Sequence, residues 1–380
     1  MKTIRVCSYV LAGLLLASAP VGAGDSKPKK NGDDLFSVPQ IVELKLEIPA
    51  SGLEALKEDH KQYVKGTVTE GDRTLSSVGI RYKGSILLGN GGSRPSFTIK
   101  FNEFIAGQKF HGLTKIILDA CPHDPSCLSA VLANELYRAA GVPAPRDAFA
   151  HVTVNGQALG LYVLVEGINR DFLGRHFEKS KGNLYEGDGH DIVAKLDKDS
   201  GDEHKDQPDV DALAKAAQEP DPAQRWQKLG KVLDLDRYVS FLAVEVFTWQ
   251  TNGYAMRTNK YRLYHDPTSD RMVFLPHGTE AAFAAAEGPL VPPVAGLVAR
   301  AVLQAPEGKK FYRECLAKLL ATHFKPDALQ TRLAELAAKV RPVMARGNSA
   351  AAATFDTAIK QLSERIARRA NSLEQELRKN

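Results

Sequence analysis

Apolar and polar residues alternate over residues 40–48, where Ile41, Leu44, Leu46 and Ile48 form the apolar set, and this period of two predicts a β-strand. Residues 50–57 read as a short helix. Residues 63–69 and 77–83 read as two strands separated by the turn Glu70-Gly71-Asp72. Residues 127–140 change to a helical period, with Leu128, Val131, Leu132, Leu136 and Ala139 on one face. Asp124 or Ser126 can cap that helix, and Gly141 ends it. Pro143 and Pro145 then hold the chain extended. Residues 148–154 and 159–165 read as a hairpin about Asn155-Gly156. The return strand ends on Glu166, and Asp171 to Phe177 opens another helical pattern.

Beyond residue 187 the pattern weakens. Residues 188–222 are charged, with only an alanine-rich helix at 212–217, and read as a mobile, mostly solvated insertion. Residues 233–236 cap a strongly apolar helix over 238–249. Pro292-Pro293 marks a linker. After it, residues 294–303, 311–323, 328–340 and 351–377 carry amphipathic helical patterns and predict a C-terminal helical bundle. The expected fold class is α+β, with an antiparallel-rich front.

Charge and cysteine content narrow the setting. The 50 Lys and Arg residues nearly balance 45 Asp and Glu, for a net charge of +5, without the clustered basic stripe of a nucleic-acid binder. Residues 1–23 read as a secretory signal: Lys2 and Arg5, an apolar run at 10–17, then Val21-Gly22-Ala23. Residues 24–38 read as a disordered linker. Removal of the leader leaves no stable membrane span, and the expected location is exported: periplasmic, cell-surface or extracellular. Export permits disulfides, and Cys121 and Cys127, which close a short loop stiffened by Pro122 and Pro125, are expected to pair with each other. Cys315 lies in an apolar helical pattern and reads as a free thiol.

Three features stand out chemically before any family is considered. Glu166 ends a buried strand, so its carboxylate needs a cation, a metal or an exposed site. His277 could contact substrate or metal, or hydrogen-bond its own turn. The glycine-rich loop 84–93 could bring N–H groups to phosphate or be a hairpin tip, and it matches neither the Walker A nor the Rossmann pattern.

The ordered motifs Arg81-Tyr82-Lys83-Gly84, Asp124-Pro125-Ser126, Gly-Val-Pro-Ala-Pro-Arg (141–146), Val-Asn-Gly (154–156), Gly-Leu-Tyr-Val-Leu-Val-Glu (160–166), Gly-Asn-Leu-Tyr (182–185), Tyr-Arg-Leu-Tyr (261–264) and Pro276-His277-Gly278 resemble the spore-coat protein H (CotH) kinase family. The resemblance runs over roughly residues 40–285. It implies a protein-kinase-like core at 39–288, followed by the helical region 289–380. It also implies ATP and Mg²⁺ as cofactors and a protein substrate or surface/coat protein as partner. Lys83, Arg94, Lys100 and Glu166 become the candidates for nucleotide binding.

Two departures from that family bear on chemistry. Its aspartate before Gly-Tyr is Asn252 here, and its aspartate after His-Gly is Glu280. Asn252 and Glu280 therefore stand at the catalytic positions, and Asn259 and Glu280 at the metal positions. Asn252 is neutral and cannot accept a proton as a carboxylate does. Glu280 carries its carboxylate one methylene further out, and Mg²⁺ is strict about geometry. Asp119-Ala120-Cys121 also replaces asparagines usual in the family. The reading that results is a pseudokinase or weakly active atypical kinase. The alternatives are an active Mg²⁺-dependent Ser/Thr kinase and a structural coat-assembly protein that binds no nucleotide.

Overall fold

The alternating segments at the front of the chain close on themselves. In the computed structural model, which describes residues 31–37, 41–84, 94–347 and 349–379, a helical turn α1 (Asp33–Phe36) precedes β1 (Val42–Glu47), α2 (Ala50–Glu58), β2 (Val64–Glu70), β3 (Arg73–Lys83), β4 (Ser96–Lys100) and β5 (Lys115–Asp119). Helix α3 (Ser129–Ala139) and the hairpin β6 (Asp147–Val154) and β7 (Gln157–Glu166) follow. The seven strands form a closed barrel in the order β1-β2-β3-β4-β5-β7-β6, closed by a parallel β6–β1 pairing. Closure removes the sheet edges that an open sheet of this length would expose. Inward residues at every second position, among them Leu44, Leu46, Val78, Ile80, Phe97, Ile99, Ile116, Leu118, Tyr162 and Leu164, fill the interior.

The expected helix at 127–140 begins at Ser129 because Cys127 takes a left-handed φ of 54°. Leu128 takes its N-cap position with no side-chain cap, and the Asp124 carboxylate, further back, accepts from Ser126 N, Ser126 Oγ and the first helical N–H, Ser129 N, at 3.0, 2.5 and 2.9 Å. The leader and most of the glycine-rich loop lie outside the described residues. The linker expected at 24–38 is ordered where it is described. Leu35 of α1 is buried in the barrel core, and Arg146 Nη1 lies 2.6 Å from Asp33 Oδ1. His111 bridges Asp34 and Glu70 at 2.9 and 2.7 Å.

The rest of the chain builds a second layer. After α4 (Arg170–His176) come β8 (Leu184–Glu186), β9 (Asp197–Ser200), α5 (Pro208–Ala217), α6 (Pro222–Val232), α7 (Leu235–Phe247), α8 (Tyr254–Arg257), β10 (Tyr261–Asp266) and β11 (Arg271–Pro276). These four strands form a sheet in the order β11-β10-β8-β9. The segment expected as a mobile, solvated insertion is therefore structured. Ile192, Leu196, Val210 and Leu213 are buried in the main core. Its acids are partnered: Asp191 accepts from Tyr254 Oη (2.9 Å) and Leu297 N (2.8 Å), Asp199 from Arg262 (2.8 Å), and Asp209 from Tyr185 Oη (2.6 Å). Those partners lie far along the chain, so no local pattern shows them.

Helices α9 (Leu297–Gln304), α10 (Pro306–Thr322), α11 (Pro326–Gly347) and α12 (Ser349–Lys379) complete the layer. They share one hydrophobic core with α3, α7 and β10–β11. Cys315 is a half-buried thiol 3.7 Å from Ser240 Oγ. Among the described residues, no helix is long and apolar enough to cross a membrane.

Candidate functional site

Strand register places the first functional group. Lys83 pairs with Ser96 across β3–β4, and the β4–β5 register carries Ser96 on to Asp119. The three side chains share one face in a row. Ser96 is short, so the long Lys83 side chain passes over it, and Lys83 Nζ reaches Asp119 Oδ2 at 2.6 Å. Asp119 Oδ1 accepts from Cys121 N at 2.8 Å. Burial pushes the Asp119 carboxyl up, but Lys83, with help from the Cys121 N–H and Ser96, holds it below its ordinary range. Burial likewise disfavours the Lys83 ammonium, yet Glu280 and then Asp119 outweigh it and keep Lys83 charged. Lys83 is thus ion-paired to Asp119 on its own wall, and Glu280 of the opposite wall lines the same cleft and favours its charge.

The second wall is the turn after β11. Gly278 has a φ of 62°, and a Cβ there would meet Lys260 Cδ at 2.8 Å and Glu280 Oε2 at 3.2 Å, so any side chain would be strained and would push these two away. Gln250 Nε2 donates to Gly278 O at 3.0 Å, and Thr279 Oγ1 lies 3.1 Å from Asn134 Oδ1 of α3. These bonds pin the 3-10 turn Thr279–Ala281 against α3. Between the walls lies a cleft lined by Lys83, Asp119, Cys121, Cys127, Glu166 and Glu280 at its polar positions. Ile117, Pro145, Val163, Val165 and Ile168 give it an apolar side.

Asn252 and Asn259 form a pair next to this turn, with Asn259 Nδ2 donating to Asn252 Oδ1 at 2.9 Å. Asn259 Oδ1 is buried without a hydrogen-bond partner. An orphaned acceptor of this kind suits a cation. The backbone before α8 is set by Glu245, whose Oε1 accepts from Ala255 N at 2.8 Å and occupies the space a Gly253 Cβ would fill. Among the described residues, no three His, Cys, Asp or Glu side chains converge as metal ligands. Glu280 lines the cleft, whereas Asn252 and Asn259 are not among its lining residues; a hard cation would need the Glu280 carboxylate together with the Asn259 amide and the oxygens of its own ligand.

The remaining candidates have other partners. Glu166 lines the cleft, but Arg146 grips it (2.8 Å to Oε1, 3.1 Å to Oε2) and so does Arg175 (2.5 Å to Oε2). Its cation requirement is met within the chain, and it serves as an anchor of the cleft floor. Arg94 does not line the cleft. Its guanidinium donates to the carbonyls of Leu159, Leu161 and Ala120 at 3.1, 2.8 and 2.9 Å, so three of its five N–H donors go to backbone. Lys100 sits at the far end of β4, about 13 Å along the strand from Ser96, and pairs with Glu103 at 2.6 Å. Neither Arg94 nor Lys100 faces a ligand in the cleft. His277 lines the cleft, and burial first, then Arg262, Lys83, Lys260 and Lys115, push its pKa far down, so it stays neutral.

Sequence reasoning missed Asp119, whose only signal was its departure from the usual asparagine. It also missed Arg146 and Arg175, whose common target is set by the hairpin and α4.

Fold and site together define an α+β protein with a cation-bearing cleft between a barrel and a helix-backed sheet. The chain belongs to the CotH kinase protein family, whose model matches residues 80–373. It is 24% identical over 288 residues to inner spore coat protein H of Bacillus subtilis (strain 168), an alignment that covers 70% of this chain and 77% of that protein. Among solved structures, it is similar to a chain of the Shewanella oneidensis MR-1 toxin–antitoxin complex of HipA, HipB and operator DNA, with a TM-score of 0.42 and 12% identity over 88% of this chain and 74% of that one. It is also similar to the Helicobacter pylori proinflammatory kinase CtkA, with a TM-score of 0.29 and 8% identity over 74% and 94% of the two chains.

Proposed function

We propose that this is an exported protein with an atypical kinase-like core that binds ATP with Mg²⁺ and transfers phosphate weakly or not at all. It acts on, or scaffolds, surface or coat proteins. In this reading residues 1–23 are a leader, 24–38 join it to the core 39–288, and 289–380 buttress that core. The observation that carries the reading is the Lys83 ammonium paired with Asp119 at 2.6 Å in a cleft that Glu280 also lines and that has an apolar side. Family membership and the coat-protein relative support the location and the class of partner.

Bound Mg²⁺ would neutralise charge on the phosphate oxygens, with Asn259 and Glu280 as its protein ligands. Lys83 would neutralise phosphate as a point charge. The apolar residues Ile117, Val163, Val165 and Ile168 would hold the base. Asn252 can orient an acceptor hydroxyl but cannot take its proton, so chemistry is weaker than binding.

Titration calorimetry of the chain from Gly24 onward tests this. Binding of ATP is expected, stronger with Mg²⁺ and at least about tenfold weaker in Lys83→Ala, a loss near 1.4 kcal/mol. Absence of any binding by the wild type would remove the nucleotide reading.

A further inference from the structure

The loop between β5 and α3 places two free thiols, Cys121 and Cys127, on the wall of one cleft, beside Lys83 and Asp119. Cys121 Sγ lies 3.6 Å from Asp119 O. Each takes a left-handed φ, 53° at Cys121 and 54° at Cys127, which is costly for a residue with a Cβ. The loop is held in that conformation from within. Asp124 N donates to Cys121 O at 3.2 Å and Cys127 N to Asp124 O at 2.9 Å. The Asp124 carboxylate gathers Ser126 and Ser129, and Pro122 and Pro125 fix their own φ. Cys121 N also donates to Asp119 Oδ1 at 2.8 Å, so the thiol loop and the Lys83–Asp119 pair are directly linked. Cys315 lies apart, on α10 against Ser240.

We propose that Cys121 and Cys127 are a redox modification site, and that joining them locks Asp119 onto Lys83. In the step, one cysteine thiolate attacks an external disulfide such as oxidised glutathione and expels one glutathione thiolate. The second cysteine then displaces the bound glutathione, and an Sγ–Sγ bond forms. The two protein thiols lose two protons and two electrons, and the oxidant leaves as two thiols. The closed loop has fewer conformations when unfolded and less freedom to withdraw Cys121 N from Asp119. The effect on ATP rests on the nucleotide reading above; the disulfide and its hold on Lys83 do not.

The test compares the whole exported chain after treatment with oxidised glutathione and after dithiothreitol. Non-reducing peptide mapping should find Cys121 linked to Cys127 and Cys315 free. The oxidised form should melt a few degrees higher, a gain that Cys127→Ser loses. Acylation of Lys83 by an amine-reactive ester should be several-fold slower in the oxidised form, and Mg²⁺-ATP binding several-fold tighter. Free thiols at both positions, or a link from either to Cys315, overturns the site. A formed link with Lys83 reactivity unchanged overturns the coupling. If the link forms and protects Lys83 while neither form binds ATP, the redox site stands and the nucleotide reading falls.

Discussion

Lys83 gains its character from two carboxylates that are 36 and 197 residues away in sequence. The chemistry of Asn252 and Glu280, by contrast, is written in the residues themselves. Asn252→Asp supplies a carboxylate for the acceptor proton, and Glu280→Asp shortens the ligand arm to Mg²⁺. Acid–base catalysis contributes roughly 10²–10⁴-fold in enzymes, so each single variant should turn over ATP measurably faster than wild type. Metal and acceptor must both be placed, so the double variant should exceed the product of the single gains. ATP turnover and autophosphorylation in the four proteins check this, and a wild type as fast as the double variant removes the pseudokinase assignment. Asp119→Asn leaves Lys83 Nζ without its charged partner at 2.6 Å. It is expected to cost about 1–3 kcal/mol in urea denaturation and to weaken ATP binding.

At the scale of elements, α7 and α8 meet at Glu245. The side chain is fully buried, and burial pushes its carboxyl up to about 8, against the lowering effect of the Ala255 and Met256 N–H groups. The unfolded chain ionises this group near 4.5, whereas the folded chain still holds the proton. Between pH 4.5 and 8 the folded state therefore binds more protons, and stability falls as pH rises through that window. Asp147, raised to about 7 chiefly by burial, adds a loss of the same sign between its unfolded value of 3.8 and pH 7. Glu245→Gln removes the Glu245 contribution, on the order of 5 kcal/mol across the window. Urea denaturation of both proteins from pH 4.5 to 8 should show a flatter fall in the variant. Parallel pH profiles would show that Glu245 ionises alike in both states. The same buried carboxyl sets the turn that carries Asn252, so its ionisation should also loosen that turn.

At the scale of the molecule, the C-terminal helices are tied into the core behind the cleft. Arg369 of α12 is buried and donates to the carbonyls of Val246 (2.7 Å), Phe247 (3.3 Å) and Gly288 (2.5 Å), over the Trp249 ring. It closes the C-terminal end of α7, where helix carbonyls lack intrahelical partners. Arg369→Ala removes the guanidinium donor from Phe247 O and Gly288 O, while Val246 O keeps the Trp249 backbone N–H, and should cost about 3 kcal/mol. Arg369→Lys should recover little, because a single ammonium cannot span three acceptors. Since α9–α12 share one core with α3 and α7, we expect a single cooperative unfolding transition by fluorescence and circular dichroism. Two separated transitions would show that the region after residue 288 folds on its own.

What depends on near neighbours could be read from the amino-acid order. The strand at β1, the β6–β7 hairpin about Asn155-Gly156, the Asp124 carboxylate at the start of α3 and the C-terminal helices were legible because periodicity, turn chemistry and caps act over a few residues. The neutral Asn252 and the longer Glu280 were legible for the same reason. Only the tertiary structure decided which charges meet. The β3–β4–β5 register put Asp119 beside Lys83 across β4, and the hairpin with α4 brought Arg146 and Arg175 onto Glu166. The same packing turned Arg94 toward backbone carbonyls and left Lys100 at the wrong end of its strand. It also ordered the acidic segment after residue 187 by giving Asp191, Asp199 and Asp209 distant partners. A charged side chain reaches its partner through space, and chain separations of up to about 200 residues leave no local trace of that pairing.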